Sequence, residues 1–270
     1  MNISEKTILI TDSTDGLGKL VARRLAEKGA KVLLHGRNKT KGKSVLDELG
    51  KISTGPKPQY YNADFSSFGE VAGMAQKLLD KNVNIDILIN NAAIGSGKAS
   101  GNIRELSADG VELRMAVNYF SQVLLTEKIL PLLKQGSNII NVASTAQARL
   151  DFNDLMLERH YDGYHAYSVS KTALIMYTFD LAERLSPDNI TVNALHPSSL
   201  MNTNMVLKDW GYTLTSVEAG ADAVENLLFP DRTGAYFDRK NPAKTIAQAY
   251  DPNEREKLRK ATWETIGRYL

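Results

Sequence analysis

The sequence predicts an α/β protein: a parallel sheet with helices on both faces. Three observations carry this. Strand-like apolar runs and helix-like amphipathic stretches alternate nearly to the carboxyl end, the pattern of βαβ units with right-handed crossovers. A turn containing glycines separates the first strand from the first helix, as in sheets that bind nucleotides at the carboxyl ends of their strands. No internal repeat or low-complexity linker interrupts the 270 residues, so the whole chain reads as one large domain.

Composition removes several function classes. A hydrophobic fraction of 43% and a charged fraction of 24% are ordinary for a soluble globular protein. A net charge of +2 gives no electrostatic case for nucleic acid or an anionic membrane surface. There are no cysteines, which excludes disulfides, thiolate metal sites and thiol nucleophiles. With four histidines a metal site would need carboxylates, and none is expected. No apolar run approaches the ~20 residues of a membrane span. Residues 1–6 are polar and lead straight into the first strand, so the expectation is a cytoplasmic protein with no signal peptide.

Residues 7–11 form the first strand, and Leu17, Leu20, Val21 and Leu25 mark an amphipathic helix ending near Gly29. Between them lie Asp12, Ser13, Thr14, Asp15, Gly16, Leu17 and Gly18. Such a turn lets backbone approach a pyrophosphate at the positive helix end. Gly16 permits the approach, and Gly18 permits close packing of helix on strand. An ordinary turn with a capped helix would use Ser13, Thr14 and Asp15 equally well. The second strand, 31–35, is followed by Gly36, Arg37 and Asn38. An acid at this strand end would bond a ribose 2′-hydroxyl, whereas an arginine accommodates a 2′-phosphate. Arg37, with Lys39 and Lys41 nearby, favours NADP over NAD. The third strand is 60–64. Asp64 at its end can bond an adenine amino group or, with Ser66 and Ser67, cap the next helix.

The fourth strand, 85–89, runs into Asn90, Asn91, Ala92 and Ala93, small residues that leave room for a ligand. A polar loop, 95–102, precedes a long helix at about 108–133. Asn118 sits in its apolar stretch and needs a polar partner; it holds a water beside a site or is a satisfied core asparagine. The fifth strand, 137–143, ends at Ser144, whose hydroxyl can donate to a substrate oxygen. No Gly-x-Ser-x-Gly elbow surrounds it, so it is no hydrolase nucleophile. A connector, 149–164, leads to the helix that carries Tyr167 and Lys171. Ala173, Tyr177, Leu181 and Leu185 recur at helical spacing and define its buried face. Residues four apart share a side, so the Lys171 ammonium is expected to lower the Tyr167 pKa from its usual ~10. Such a tyrosine can exchange a proton with a carbonyl or alcohol oxygen. Tyr236 and Lys240 repeat the spacing, but at a strand end and loop. A sixth strand, 190–195, is followed by the apolar stripe 198–213, for which core packing is the simpler reading. A helix at 219–228, an edge strand at 234–237 and an amphipathic terminal helix at about 252–268 complete the chain. The terminal helix, with Leu258, Trp263 and Ile266 on its apolar side, packs on the sheet or on another subunit.

Ser144, Tyr167 with Lys171 four residues on, Asn118, the Asn90-Asn91-Ala92 run and the glycine turn occur together in one order. In this the chain resembles the short-chain dehydrogenase/reductase family. Residues Asp151 to Leu155, Tyr161 to Gly163 and Ala166 to Lys171 look most like its retinol-dehydrogenase-like branch, which uses mainly NADP. The resemblance implies a single Rossmann-type domain over 1–270 with a seven-stranded parallel sheet in the order 3-2-1-4-5-6-7. It implies a tetrad in which Tyr167 is the acid/base, Ser144 polarises the carbonyl, Lys171 holds the nicotinamide ribose and Asn118 positions a water. NADP(H), with NAD(H) as the weaker choice, would contact the glycine turn, Arg37, Asn38, Asp64, Phe65, Asn91, Ala92, Ala93, Tyr167, Lys171, Pro197, Ser198 and Thr203. Segment 198–213 would be a lid over a small carbonyl or alcohol substrate of apolar or aromatic character, and the assembly a homodimer or homotetramer. Departures are Asp12 for the first loop glycine, Ala93 for glycine, and His196-Pro197-Ser198 for Pro-Gly. They leave open a catalytically impaired dinucleotide-binding regulator as the alternative to an active oxidoreductase.

Overall fold

The computed structural model describes residues 2–96 and 103–270; most of the loop expected at 95–102 lies outside them. β1 (Thr7–Ile10), β2 (Lys31–Gly36), β3 (Gln59–Asn62), β4 (Ile85–Asn90), β5 (Leu133–Val142), β6 (Thr191–His196), β7 (Tyr236–Asp238) and β8 (Asn241–Ala243) form one sheet. Its order is β3-β2-β1-β4-β5-β6-β7-β8. The first seven strands are parallel and stand in the expected order. The eighth corrects the count of seven. β8 pairs antiparallel with β7 through a tight turn at Arg239, which takes a positive φ of 55°. β7 is therefore not the edge. Asn241 and Pro242 hid the extra strand, because proline cannot donate to a ladder and is tolerated only at an edge.

The sheet is apolar on both faces, as a parallel sheet covered by helices must be. On one face α1 (Gly16–Glu27), α2 (Lys39–Ile52) and α8 (Val217–Asn226) bury Val21, Leu25, Val45, Leu49 and Val224. On the other, α3 (Phe68–Asp80), α5 (Ser121–Ile129) and α6 (Gly163–Leu185) bury Phe68, Met74, Leu124, Leu125 and Leu174. The expected face of α6 is buried at Ala173, Tyr177, Leu181 and Leu185. α10 (Pro252–Ile266) packs on α6 rather than on the sheet. Its Arg255 bonds Glu183 at 2.6 Å, and its Thr262 bonds the Tyr119 hydroxyl at 2.7 Å.

The long helix expected over 108–133 is shorter and irregular. It starts with α4 (Leu113–Met115), capped by the Glu112 carboxylate, and passes through a π-helical turn at Ala116–Phe120 before α5. Pro131 then forces a 3₁₀ turn, and β5 begins at Leu133, earlier than expected. The start is delayed because the chain before it makes a turn of its own, in which Ser107 N donates to Val111 O and Asp109 accepts from Phe68 N. The Arg114–Glu112 pair holds this start: both are buried, their charges lie 3.3 Å apart, and the Tyr161 hydroxyl bonds Glu112 at 2.8 Å. Arg114→Leu leaves that carboxylate unpaired. It is expected to destabilise the fold by about 3–5 kcal/mol, read from the midpoint of a urea titration; a loss within error would assign the pair no structural weight.

Candidate active site

A cleft of about 970 Å³ opens over the carboxyl ends of the strands. Asp12, Arg37, Asp64, Asn91, Ser144 and Tyr167 all contribute to its wall. Strand ends supply most of these groups, which is where an open α/β sheet places its ligand.

The glycine turn is held rigidly from below. Asp12 adopts a left-handed φ of 50°, a region that Asp tolerates better than most residues. Its amide donates to His35 Nδ1 at 3.0 Å. His35 is therefore the neutral tautomer protonated on Nε2, which faces the Ala63 carbonyl at 3.1 Å. Burial lowers its pKa to about 4, so it stays neutral. Ser13 is fully buried and bonded to the backbone of His35. Gly18 also lies beneath the turn: a Cβ there would stand 2.2 Å from the Asp12 carbonyl oxygen and 2.6 Å from Asn91 Nδ2. Ser13 and Gly18 thus shape the turn without lining the cleft. Asn91 supports it too, donating to the carbonyls of Thr11 and Asp12 at 2.9 and 3.1 Å. The Thr11 hydroxyl accepts from the amides of Asn91 and Ala92, both at 2.8 Å.

Asp15 caps α1 and ties the turn to both flanks, bonding Asn204 at 2.9 Å and Lys41 at 3.3 Å. Burial raises its pKa, but the bonds from Asn204, Gly16 and Lys41 hold the net value below the usual one. Thr14, Gly16 and Leu17 line the cleft beside it. Arg37 and Asn38 are exposed at the β2 end, and Asn38 caps α2. Asp64 and Phe65 line the same end. Asp64 accepts from the amide and hydroxyl of Ser66 at 2.9 and 2.8 Å, while Ser67 caps α3. Ala92 and Ala93 form the floor.

Deeper in, Ser144 stands at the end of β5, and its hydroxyl lies close enough to the Tyr167 phenol to favour the ionised form. The Ser144 amide neighbourhood is fixed by Ala146 N, which donates to Ser144 Oγ at 3.0 Å, and by the Tyr236 hydroxyl, which donates to Ser144 O at 3.0 Å. Lys171 is buried, with Nζ 5.7 Å from the centre of the Tyr167 ring and 2.8 Å from Val142 O. The expected pKa pattern does not hold. Burial raises Tyr167, outweighing the lowering influence of Ser144, and burial drives Lys171 down to about 7. Helical spacing foresaw the pairing of the two side chains but not how completely both are removed from water.

Asn118 does not line the cleft. The π turn directs it behind the strand end, where its Oδ1 accepts from Ile94 N at 2.8 Å. Its amide donates to Ile94 O and to Ser170 Oγ, both at 3.1 Å. Asn118 is a satisfied asparagine that fixes the cleft floor. Ser170 and His35 were not foreseen as parts of this frame; a histidine closing an apolar strand was the signal for the second.

Pro197, Ser198 and Thr203 lie on the far wall. Ser198 Oγ bonds Thr215 Oγ1 at 3.0 Å, and Thr203 caps α7 (Asn204–Trp210). The stripe at 198–213 is not core. Of its apolar residues only Met201 and Val206 are buried, while Leu207 and Tyr212 are 43% and 51% exposed. Met205, Val206 and Trp210 line the cleft instead. α7 is pinned to the opposite wall where Asp209 accepts from Ser96 at 3.2 Å and Trp210 meets Tyr164 edge-on at 6.2 Å. Among the described residues there is no acidic or histidine cluster that would hold a metal, and no helix is long and apolar enough to cross a membrane.

The residues present fit a dinucleotide: a wide cleft, a helix amino end beneath a turn without side-chain bulk at Gly18, and an arginine at the β2 end. The short chain dehydrogenase family profile matches residues 6–210. Retinol dehydrogenase 13 of Mus musculus is 34% identical over 200 residues, 72% of this chain and 58% of that protein. Retinol dehydrogenase 14 of Homo sapiens is 30% identical over 287 residues, 94% of this chain and 84% of that protein. A crystal structure of an uncharacterized protein from Mycobacterium paratuberculosis superposes with a TM-score of 0.81 at 24% identity, covering 97% of this chain and 94% of its own. From the strand that precedes the glycine turn to the helix that closes the cleft, this chain belongs to the short chain dehydrogenase family, in its retinol-dehydrogenase-like branch.

Proposed function

We propose that this chain is an NADP(H)-preferring oxidoreductase interconverting an alcohol and a carbonyl, with Tyr167 as general acid/base. One observation carries the reading: Tyr167, Ser144 and Lys171 line one cleft, with Lys171 Nζ 5.7 Å from the Tyr167 ring, and the same cleft is lined by Arg37. A bound nicotinamide would supply or take up the hydride. The protein's part is the proton. In the reductive direction the Tyr167 hydroxyl gives its proton to the oxygen that gains charge, and Ser144 donates a second hydrogen bond to that oxygen. Lys171 lends positive charge to the phenolate left behind. Asn118 positions this centre by clamping Ile94. The apolar lining of Met205, Val206 and Trp210, and the names of the retinol dehydrogenases it resembles, support an apolar alcohol or aldehyde as substrate.

Titration with NADPH and NADH, followed by nicotinamide fluorescence, tests the cofactor. NADPH is expected to bind, and Arg37→Asp to weaken it at least tenfold, roughly 1.4 kcal/mol, with less effect on NADH. Equal losses for both would remove Arg37 from 2′-phosphate recognition. A second reading, a dinucleotide-binding protein without turnover, is favoured by Asp12 in the glycine turn; it predicts cofactor binding with no activity on any alcohol or aldehyde of a broad panel.

A further inference from the structure

Asp12 is a carboxylate in a turn that otherwise suits a pyrophosphate. Its backbone is fixed by groups indifferent to its side chain: the amide by His35 Nδ1 and the carbonyl by Asn91 Nδ2. The side chain is left on the cleft wall. Among the described residues its carboxyl has no hydrogen bond or ion pair. Charged and titratable groups act on it from the surrounding elements: Asp15 in the same turn, Arg37 beyond β2, Lys41 on α2 and the Tyr60 phenol on β3. His35 beneath it is buried and neutral. Asp12 therefore lines the same cleft as Arg37, a cation available to a ribose 2′-phosphate.

We propose that Asp12 is a cofactor-discriminating residue that works against Arg37: ionised, its carboxylate repels the 2′-phosphate that Arg37 attracts, and protonated it does not. This rests on the dinucleotide reading of the cleft. Arg37 alone would set a strong NADPH preference; with Asp12 ionised, NADH and NADPH bind with closer affinities.

The protonation equilibrium makes the effect readable. Burial, with Asp15 adding to it and Arg37 and Lys41 opposing, raises the Asp12 pKa to about 6. Linkage is reciprocal. A 2′-phosphate that raises this pKa by one unit binds about tenfold more weakly to the ionised form than to the protonated one. The phosphate's own second ionisation, near pH ~6, acts in the opposite sense through Arg37. The comparison of wild type with Asp12→Asn cancels that contribution. Asparagine tolerates the left-handed backbone at this position, and Asp12→Gly provides a second variant without a side chain.

The test is the dissociation constants of NADPH and NADH for wild type, Asp12→Asn and Asp12→Gly, at about pH 5 and about pH 8, with thermal melts to show that each protein is folded. At the higher pH both variants are expected to raise the NADPH-over-NADH preference by about tenfold or more. At the lower pH the gap to wild type should largely close. A variant that shifts both cofactors equally would show that Asp12 acts on the shape of the turn, and the proposal would fail. A gap independent of pH would equally overturn it, because the carboxylate charge would not be the cause. The wild type also reports alone: its preference for NADPH should not rise across this range as the ionising phosphate demands. If folded wild type bound neither cofactor, the dinucleotide reading itself would be wrong, a different result from binding that Asp12 does not influence.

Discussion

Tyr167→Phe is expected to lower turnover by about 10²–10⁴-fold, the usual worth of a positioned proton donor, while NADPH still binds. Tyr167 lines the cleft beside Ser144 and Lys171, and phenylalanine keeps the ring whose centre lies 5.7 Å from the Lys171 Nζ. The lost group is therefore the hydroxyl alone. Steady-state kinetics with an aldehyde found by screening, alongside fluorescence titration, separates the two effects. Retained turnover with a shifted pH profile would move the acid/base role to another group. Loss of cofactor binding would make Tyr167 a structural support instead. Because burial holds the Tyr167 phenol above its ordinary pKa, it stays protonated through neutral pH and suits the reductive direction, in which it must give a proton.

Gly18→Ala should abolish binding of both cofactors and lower stability by at least about 1–3 kcal/mol, the range for forcing extra atoms into a packed interior. The added carbon would lie 2.2 Å from a backbone oxygen and 2.6 Å from the Asn91 amide. Neither can swing away: the Asp12 backbone is bound to His35, and Asn91 is bound to Thr11. The turn must shift, and with it the end of α1 that faces the cleft. Urea unfolding and the same titration read the two consequences. A variant of wild-type stability that still bound NADPH would show that the turn has slack. It would also remove the argument that close packing beneath the turn forms the phosphate end of the cleft.

Most of the architecture was legible because it depends on short-range pattern. Apolar runs with helical stretches between them define β1 to β6, and the buried face of α6 falls on Ala173, Tyr177, Leu181 and Leu185 as its spacing requires. What went unseen depends on weak local signals overridden by tertiary contacts. β8 contains a proline and is placed by pairing with β7. The start of the helix at Leu113 is set by a buried ion pair with Glu112, and spacing cannot announce such a pair. The exposed stripe of α7 reads as core because apolar residues look alike whether they meet a sheet or a cleft.

For the site, sequence alone determined which residues meet. Tyr167 and Lys171 share a helix side, Ser144 ends a strand, and the glycine turn joins strand to helix; each follows from chain geometry over a few residues. Only the tertiary structure decided their electrostatic state. It buried Lys171 against the Val142 carbonyl, pressed its pKa down to about 7 and raised that of Tyr167, the reverse of what proximity by itself predicts. It also turned Asn118 away from the cleft and left the Asp12 carboxyl on its wall, near Arg37. The reason is physical: proximity along a helix is a local property, whereas desolvation and long-range charge depend on every element packed around the group.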